Sequence, residues 1–342
     1  MKGWKKAIAI GGCALVAITI VGLPAMVGLR PFIGPQMRPL TNRHFEPTPA
    51  RLERGRYLAT SGRPPCVMCH SPIDTTGGGL AVMAGKEFSG RNWAPDGAAF
   101  LTAPNLTPDP ETGVGTWTDD QLARAIREGI SHDGRTLFPI MPYEKFRQMS
   151  DEDVASIVVY LRSLTPVRNP LPPSNIPFPL NRLINSVPEP VERVPPPDAS
   201  TPEKRGAYIV KMAVCGDCHT TRSVDGTVRK GMEFAGGTPL PFGDRTTVYS
   251  ANITPSVNGI PYYTEDLFLE VMRTGKVRAR QLDPLMPTHY FRNMTDQDLK
   301  DVFAYLKTLT PVNHYVDNTL PPTACAKCGL VHGGGERNKT NS

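Results

Sequence analysis

The sequence lacks a strong excess of charge of either sign, although it is 342 residues long. Its 38 basic and 32 acidic residues give a formal net charge of +6, part of which comes from Lys2, Lys5 and Lys6. So small an excess does not indicate a nucleic-acid-binding protein. The length is sufficient for two ordinary domains, each with a core of its own. The 31 glycines and 36 prolines follow no collagen-like period, so we expect loop-rich domains.

Charged residues are absent from Ala7 to Leu29. As a helix this run is about 35 Å long, enough to cross a bilayer. Because basic residues precede it, the positive-inside rule places everything after Arg30 outside the cytoplasm. We therefore predict a single-pass anchor in the inner membrane, with the folded domains in the periplasm. A cleaved signal peptide is the alternative, and acylation of Cys13 is disfavoured because the apolar run before it is short.

Cysteine is scarce, but its spacing is informative. Seven cysteines in an exported chain would normally suggest disulfides. Four of them instead form two CxxCH motifs, Cys66–His70 and Cys215–His219. Cysteines three residues apart reach both vinyl groups of one haem, and the next imidazole lies under the iron as its proximal ligand. We therefore predict two covalently bound haem c groups.

The residues predicted to hold these groups are Cys66, Cys69 and His70 in the first motif and Cys215, Cys218 and His219 in the second. A zinc site at either motif would need further ligands. The other histidines do not supply them in a recognisable pattern, and they are His44, His132, His289, His314 and His332.

The two motifs belong to an internal repeat. The matching segments are 66–70 with 215–219, 105–108 with 252–255, 140–142 with 285–287, and 160–167 with 305–312. The offset between the copies shrinks only from 149 to 145 residues along this stretch. Ordered and nearly ungapped correspondence over more than a hundred residues indicates a duplicated domain.

Each copy also contains a methionine between two prolines, Met141 in the first and Met286 in the second. Prolines on both sides favour an irregular loop that can aim a thioether at iron, and a thioether ligand raises the reduction potential. His132 is a rival ligand in copy one but has no counterpart in copy two. Met149 and Met294 also correspond, and we expect them to pack in the cores. The predicted iron ligands are His70, Met141, His219 and Met286.

Helix signals occur in the same order in both copies. The segments 50–57 and 202–208 precede the CxxCH motifs. N-cap residues with an acceptor three positions later, followed by glycine or proline, predict helices over 118–129, 150–166, 264–275 and 295–311. Apolar residues at helical spacing in the last helix of each copy indicate core faces.

These motifs resemble the class I cytochromes c, and in particular the tandem cytochrome subunits that accept electrons from membrane-bound bacterial dehydrogenases. The resemblance covers about residues 50–312. It implies His70 and Met141 on one iron and His219 and Met286 on the other. It also implies that the first and last helices of each domain cross, that Tyr160 and Tyr305 pack near haem, and that the donor is a dehydrogenase.

The predicted fold is therefore all-α, with two tandem class I cytochrome c domains after an N-terminal transmembrane helix. Residues 1–30 form the anchor, 31–169 the first domain, 170–201 a proline-rich linker, 202–313 the second domain, and 314–342 a tail. The tail carries Cys325 and Cys328 in a CxxC motif with glycine where a proximal histidine would stand. A disulfide is favoured there, and a metal site with His332 is the alternative.

The predicted function is electron relay between redox proteins, from a donor dehydrogenase or respiratory complex to an acceptor cytochrome or oxidase. Two six-coordinate irons suit this role and leave no open position. A di-haem cytochrome c peroxidase is the competing hypothesis, with His132 and Glu144 as candidate acid or base groups. Both copies keep the methionine loop, which argues against an iron open to peroxide. A haem-based sensor ranks last because no output domain is evident in the sequence.

Overall fold

The computed structural model describes residues 23–61, 65–74, 81–93, 101–223, 226–240 and 247–339. The chain divides into two compact units, one formed by residues 1–52 and 89–194 and the other by residues 53–88 and 195–342. The second unit thus includes the first CxxCH motif. These limits differ from the predicted domain boundaries, which stay a prediction.

The helices and strands of the first copy follow one another in a simple order. They are α1 (Leu23–Val27), α2 (Arg30–Ile33), α3 (Pro49–Thr60), α4 (Cys66–Cys69), β1 (Arg91–Asn92), β2 (Thr102–Ala103), α5 (Asp119–Glu128), α6 (Tyr143–Phe146), α7 (Asp151–Ser163) and α8 (Leu180–Leu183). Strands β1 and β2 pair antiparallel, with Arg91 opposite Ala103.

The second copy repeats this order and adds two hairpins. Its elements are α9 (Pro202–Met212), α10 (Cys215–His219), β3 (Pro239–Leu240), β4 (Val248–Tyr249), α11 (Glu265–Thr274), β5 (Lys276–Val277), β6 (Arg280–Gln281), α12 (Thr288–Phe291), α13 (Asp296–Thr308), β7 (Pro322–Ala324) and β8 (Val331–Gly333). Each strand pairs antiparallel with the next one in a two-stranded sheet, β3 with β4, β5 with β6 and β7 with β8.

The predicted N-caps are confirmed. The Thr118 hydroxyl accepts the backbone N–H of Gln121, whose side chain accepts the N–H of Thr118 in return, and this reciprocal pair fixes the start of α5. The hydroxyls of Ser150, Thr264 and Thr295 cap α7, α11 and α13 in the same way. Helices α5 and α11 end at glycines with φ near 70°.

The last helix of each copy buries the apolar face that its spacing predicts. In α7 the buried residues include Val154, Ile157, Val158 and Leu161. In α13 they include Leu299, Val302, Phe303 and Leu306, which pack in one core with Ile209 and Val210 of α9. Burial of such side chains is the main favourable term that holds each helix in place.

In the second unit α9 and α13 approach each other closely at Gly206. A Cβ at this position would overlap the backbone carbonyl of Asp301, so only glycine permits the approach. Arg205 next to it donates from Nε and Nη2 to the two carboxylate oxygens of Asp301, over 2.7 and 2.9 Å. The first and last helices of this copy therefore cross, as the family resemblance implies.

The repeated Asn-x-Thr segments, 105–107 and 252–254, form equivalent hydrogen bonds in the two copies. Asn105 donates to the carbonyl of Val167 over 2.7 Å, and its Oδ1 accepts the backbone N–H of Thr107. Asn252 donates to the carbonyl of Val312 over 2.8 Å, and its Oδ1 accepts the N–H of Thr254. Each asparagine thus joins a central loop to the chain that leaves the last helix.

The predicted fold class and location need correction. The described residues are mostly helix and loop, but they also include four small two-stranded sheets that the all-α prediction left out. Among the described residues no helix has both the length and the apolar character needed to span a bilayer. This finding contradicts the predicted N-terminal transmembrane helix and the single-pass inner-membrane location. Residues 7–22 of the predicted span lie outside the described part, and α1 and α2 after them have five and four residues.

The proline-rich segment 170–201 is mostly without regular secondary structure, but it holds α8 and a 3₁₀ turn, Ile184–Ser186. Ile184 is buried, whereas Phe178 is 80% exposed. The side-chain oxygen Oδ1 of Asn185 accepts a hydrogen bond from the Thr136 hydroxyl over 2.8 Å. The segment therefore packs on the first unit in part through polar contacts.

Candidate functional site

The second CxxCH motif forms the short helix α10, which brings Cys215, Cys218 and His219 onto one turn. Cys215 is half-buried and Cys218 is exposed, and the two are not joined in a disulfide. Burial raises the pKa of Cys215 to about 12. The Cys215 side chain packs against the core of the second unit, and Met286 packs against the same core.

The His219 ring is oriented by a backbone carbonyl. Its Nδ1 lies 2.7 Å from the oxygen of Ala251. Because a carbonyl only accepts, Nδ1 carries the proton and Nε2 presents a lone pair. Burial lowers the pKa of His219, which favours this neutral form. A neutral imidazole with its second nitrogen held by a carbonyl has the form that an axial haem ligand requires, so the residues present fit the group.

Met286 lies in the irregular loop that sequence analysis predicted. Its N–H donates to the carbonyl of Asp283 over 3.0 Å, and its carbonyl accepts the N–H of Thr288 over 2.7 Å. Tyr305, which the resemblance places near haem, packs edge-to-face on Phe234 with ring centroids 6.5 Å apart. Both aromatic side chains pack on the core that Cys215 and Met286 contact.

The first CxxCH motif has the same local framework. Cys66–Cys69 is the helix α4, and His70, which is 7% exposed, donates its N–H to the carbonyl of Cys66. The Ser71 hydroxyl accepts the N–H of Phe88 over 2.8 Å. In copy two the Thr220 hydroxyl accepts the N–H of Phe234 over 3.0 Å. Both phenylalanines have a positive φ, 62° and 59°, so the duplication extends to backbone conformation.

The two backbone hydrogen bonds of the Met286 loop recur at equivalent positions in the Met141 loop. The N–H of Met141 donates to the carbonyl of Phe138 over 3.1 Å, and the N–H of Tyr143 donates to the carbonyl of Met141 over 2.8 Å. Met141 belongs to the first unit, whereas Cys66, Cys69 and His70 belong to the second. All predicted haem residues of copy two lie within the second unit, and the ligand assignments in both copies stay predictions.

The alternative candidates occupy other surroundings. The His132 ring packs on Trp117 with centroids 4.4 Å apart. Met149 and Met294, which we expected to pack, are 1% and 6% exposed.

The tail motif differs from the favoured interpretation. Cys325 and Cys328 are buried and free rather than joined in a disulfide. The sequence suggested His332 as a metal-ligand alternative, but it gave no reason to include His314, which lies beside both cysteines and His332. Only the fold of the tail reveals that association, because copy one has no counterpart from which to infer it.

Comparison with known proteins identifies the family of this chain. The family model described as cytochrome c matches residues 53–165. A protein named diheme cytochrome c-type from Cereibacter sphaeroides is 32% identical over 273 residues, covering 76% of this chain and 86% of that protein. The chain therefore belongs to the cytochrome c family. A cytochrome c domain implies covalently bound haem c as the cofactor.

Two further relatives are components of dehydrogenases. The cytochrome c subunit of alcohol dehydrogenase (quinone) from Gluconacetobacter polyoxogenes is 31% identical, and the alignment covers 77% of this chain and 57% of the relative. A subunit of nicotinate dehydrogenase from Pseudomonas putida is 38% identical over 199 residues, or 55% of this chain and 15% of the relative. The chain thus spans only part of the length of these relatives.

Proposed function

We propose that the chain binds two haem c groups and relays electrons from a dehydrogenase to a second redox protein. The observation that carries this proposal is the duplicated methionine loop, whose two backbone hydrogen bonds recur around Met141 and Met286. Because the same hydrogen bonds hold both loops, we infer that Met141 and Met286 have the same role, each as a ligand of one haem iron. The diheme relative, which matches 76% of the chain, supports a count of two.

When bound, each haem supplies a one-electron iron couple. The residues of the chain would then keep the same iron ligands in the oxidised and the reduced state. His70 and His219 would each hold one haem iron, and the carbonyl of Ala251 fixes the ring of His219 in orientation and tautomer. Met141 and Met286 would supply the second protein ligand of each iron, and a thioether there would favour the reduced state.

The packing around Met286 suits rapid electron transfer. Its side chain lies on a core with Tyr305 and Phe234, and the loop backbone is fixed on both sides of the methionine. A ligand held by packing and by two backbone hydrogen bonds moves little when the iron changes charge. With a histidine and a methionine on each iron, no position would be left open for a substrate, which disfavours peroxidase chemistry.

Carbon monoxide binding and haem content test the proposal together. The purified holoprotein should contain two haem c groups per chain. Both ferrous haems should resist carbon monoxide at neutral pH, because His and Met fill both axial positions. Rapid binding of one carbon monoxide per haem, or peroxide turnover with a reduced donor, would show that at least one iron is open and would refute the relay as stated.

The donor is inferred from the dehydrogenase components among the relatives. Purification of the tagged chain from its native cells should recover a dehydrogenase with it. Addition of that dehydrogenase's substrate to the complex should reduce both haems, and omission of the substrate is the control. Co-purification without substrate-dependent haem reduction would count against a dehydrogenase as donor.

A further inference from the structure

Four potential metal ligands converge in the C-terminal part of the second unit. They are His314, Cys325, Cys328 and His332, and their ligand atoms all lie within 4.8 Å of one another. All four residues are buried, with exposures of 0%, 3%, 1% and 0%. Two thiols and two imidazoles packed so closely away from water form a set that soft or borderline metal ions prefer.

The imidazole rings of His314 and His332 point their Nε2 atoms at each other. Nδ1 of His314 lies 2.8 Å from the carbonyl oxygen of Ala235, and Nδ1 of His332 lies 3.2 Å from that of Gly333. Because carbonyls only accept, both Nδ1 atoms carry protons, which leaves both Nε2 atoms as acceptors. These Nε2 atoms are 3.1 Å apart. Two acceptors cannot form a hydrogen bond, so a cation between them would remove a buried repulsion.

Cys325 and Cys328 supply the other two potential ligands, close to the Nε2 atoms of the histidines. Sγ of Cys325 lies 3.5 Å from Nε2 of His314, and it accepts the backbone N–H of Cys328 over 3.3 Å. Such an N–H stabilises a thiolate, which is the form that binds a metal. Two thiolates would balance a divalent cation, so the buried site would have no net charge.

We propose that His314, Cys325, Cys328 and His332 bind one Zn²⁺ as a tetrahedral structural site. Zinc–nitrogen bonds of about 2.0–2.1 Å and zinc–sulfur bonds of about 2.3 Å require edges near 3.3 Å between nitrogens and near 3.6 Å between nitrogen and sulfur. The distances of 3.1 and 3.5 Å agree with these edges. Four protein ligands leave no position for substrate, so the site is structural.

A two-iron cluster does not fit this arrangement. In a cluster with two histidines and two cysteines, the histidines bind one iron and the cysteines the other. The two pairs are then held apart by the cluster. Here Sγ of Cys325 lies 3.5 Å from Nε2 of His314, and all four ligand atoms lie within 4.8 Å of one another.

The hairpin β7–β8 builds most of the site. Cys325 follows β7 directly, Cys328 lies in the turn, and His332 lies on β8 opposite Thr323. Within the turn, the N–H of Gly329 donates to the carbonyl of Cys325 over 2.8 Å. Three ligands thus come from one short hairpin, and the fourth from the chain that follows α13.

The site would fasten the tail to the loop that follows the second CxxCH motif. A Cβ at Gly237, where φ is 84°, would lie 2.7 Å from Cε1 of His314, so this loop needs glycine to pass the ring. The neighbouring Gly236 donates its N–H to the carbonyl of His219. Asn252 holds the other side of His314 by donating to its carbonyl over 3.0 Å. Zinc would therefore stabilise the surroundings of His219.

Metal analysis of the full holoprotein tests the proposal. The chain should be produced with zinc in the medium and purified without chelators, and zinc and iron should be measured per chain. We expect one zinc per chain in addition to the haem iron. X-ray absorption at the zinc edge should show two sulfurs at about 2.3 Å and two nitrogens at about 2.0–2.1 Å. Haem iron does not interfere at that edge.

A pair of variants separates the site from chance zinc binding. Cys328→Ser should reduce zinc from one ion per chain to about a tenth or less, because one thiolate ligand is lost. His44→Gln changes a histidine whose side chain is 75% exposed, and it should keep the full ion. Haem content reports whether each variant still folds.

The wild-type measurement decides the question if Cys328→Ser fails to fold. Removal of the metal from the wild type should lower its melting temperature, and Zn²⁺ but not Mg²⁺ should restore it. Wild-type protein that binds no zinc after addition of Zn²⁺, zinc without sulfur ligands, or non-haem iron held by these four residues would each overturn the proposal.

Discussion

The guanidinium of Arg38 donates to both carboxylate oxygens of Asp120, from Nη1 to Oδ2 over 2.8 Å and from Nη2 to Oδ1 over 2.7 Å. Its Nε also donates to Oε1 of Glu128 over 2.7 Å. The Asp120 side chain is completely buried, and that of Arg38 is 10% exposed. One arginine therefore forms ion pairs with two acidic residues of α5 and fixes the segment before α3 within the first unit.

Replacement of this arginine should destabilise the first unit strongly. Arg38→Ala would remove the guanidinium that pairs with the buried carboxylate of Asp120, and loss of one member of a buried ion pair typically costs about 3–5 kcal/mol. Denaturant unfolding of the holoprotein measures the loss. Arg168→Ala is the matched control, because its ion pair with Glu111 is more than half exposed at both ends and should contribute less than about 1 kcal/mol. Equal losses in the two variants would contradict the assigned role.

The same pair makes stability depend on pH. Burial alone would raise the pKa of Asp120, but hydrogen bonds from Arg38 and Thr41 lower it from 3.8 to about 2. A carboxyl group whose pKa is lower in the folded state stabilises the fold above its ordinary pKa. This contribution, about 2 kcal/mol, is lost as the pH falls from about 4 towards 2.

Comparison with Asp120→Asn isolates that contribution. The wild type should exceed the variant in unfolding free energy by a constant amount above pH 5 or so, and this difference should shrink by about 2 kcal/mol near pH 2. Glu128 has the opposite tendency, since burial raises its pKa, but it is present in both proteins. A difference that does not change with pH would argue against a charged Asp120 in the folded chain.

Local sequence signals predicted the helices of the two copies well. Capping residues such as Thr118 and Ser150, and stops such as Gly129, act through neighbours three or four positions away, so the sequence carries them directly. The duplication reinforced each signal. It also identified Asn105 and Asn252 as equivalent before their hydrogen bonds to the chain after the last helix were known.

Features that rest on distant parts of the chain escaped sequence reasoning. His314 and His332 meet although 18 residues separate them, and neither has a counterpart in copy one. Arg38 reaches α5 across more than 80 residues. The predicted membrane helix rested on the length and apolar character of residues 7–29, and most of that segment lies outside the described part of the chain.

Replacement of either predicted methionine ligand should allow carbon monoxide to bind one haem iron. Met286→Ala should open one iron, so that about one carbon monoxide binds per chain after reduction, and Met141→Ala should do the same at the other iron. The double variant should bind about two. Met294→Leu is the matched control, because Met294 is 6% exposed and packs in the core of the second unit, so carbon monoxide resistance should persist. Unchanged resistance in Met286→Ala would refute that ligand assignment.

The crossing of α9 and α13 predicts an inverted effect at Gly206. Inside a helix, glycine to alanine normally stabilises by about 1 kcal/mol. At Gly206, however, the added Cβ would overlap the backbone carbonyl of Asp301, which cannot rotate away. Gly206→Ala should therefore destabilise the second unit by about 1–3 kcal/mol, measured by thermal unfolding. Lys204→Ala on the same helix removes an exposed ion pair and should change stability by less than about 1 kcal/mol. A Gly206→Ala protein that melts at or above the wild-type temperature would mean that the two helices do not cross at this point.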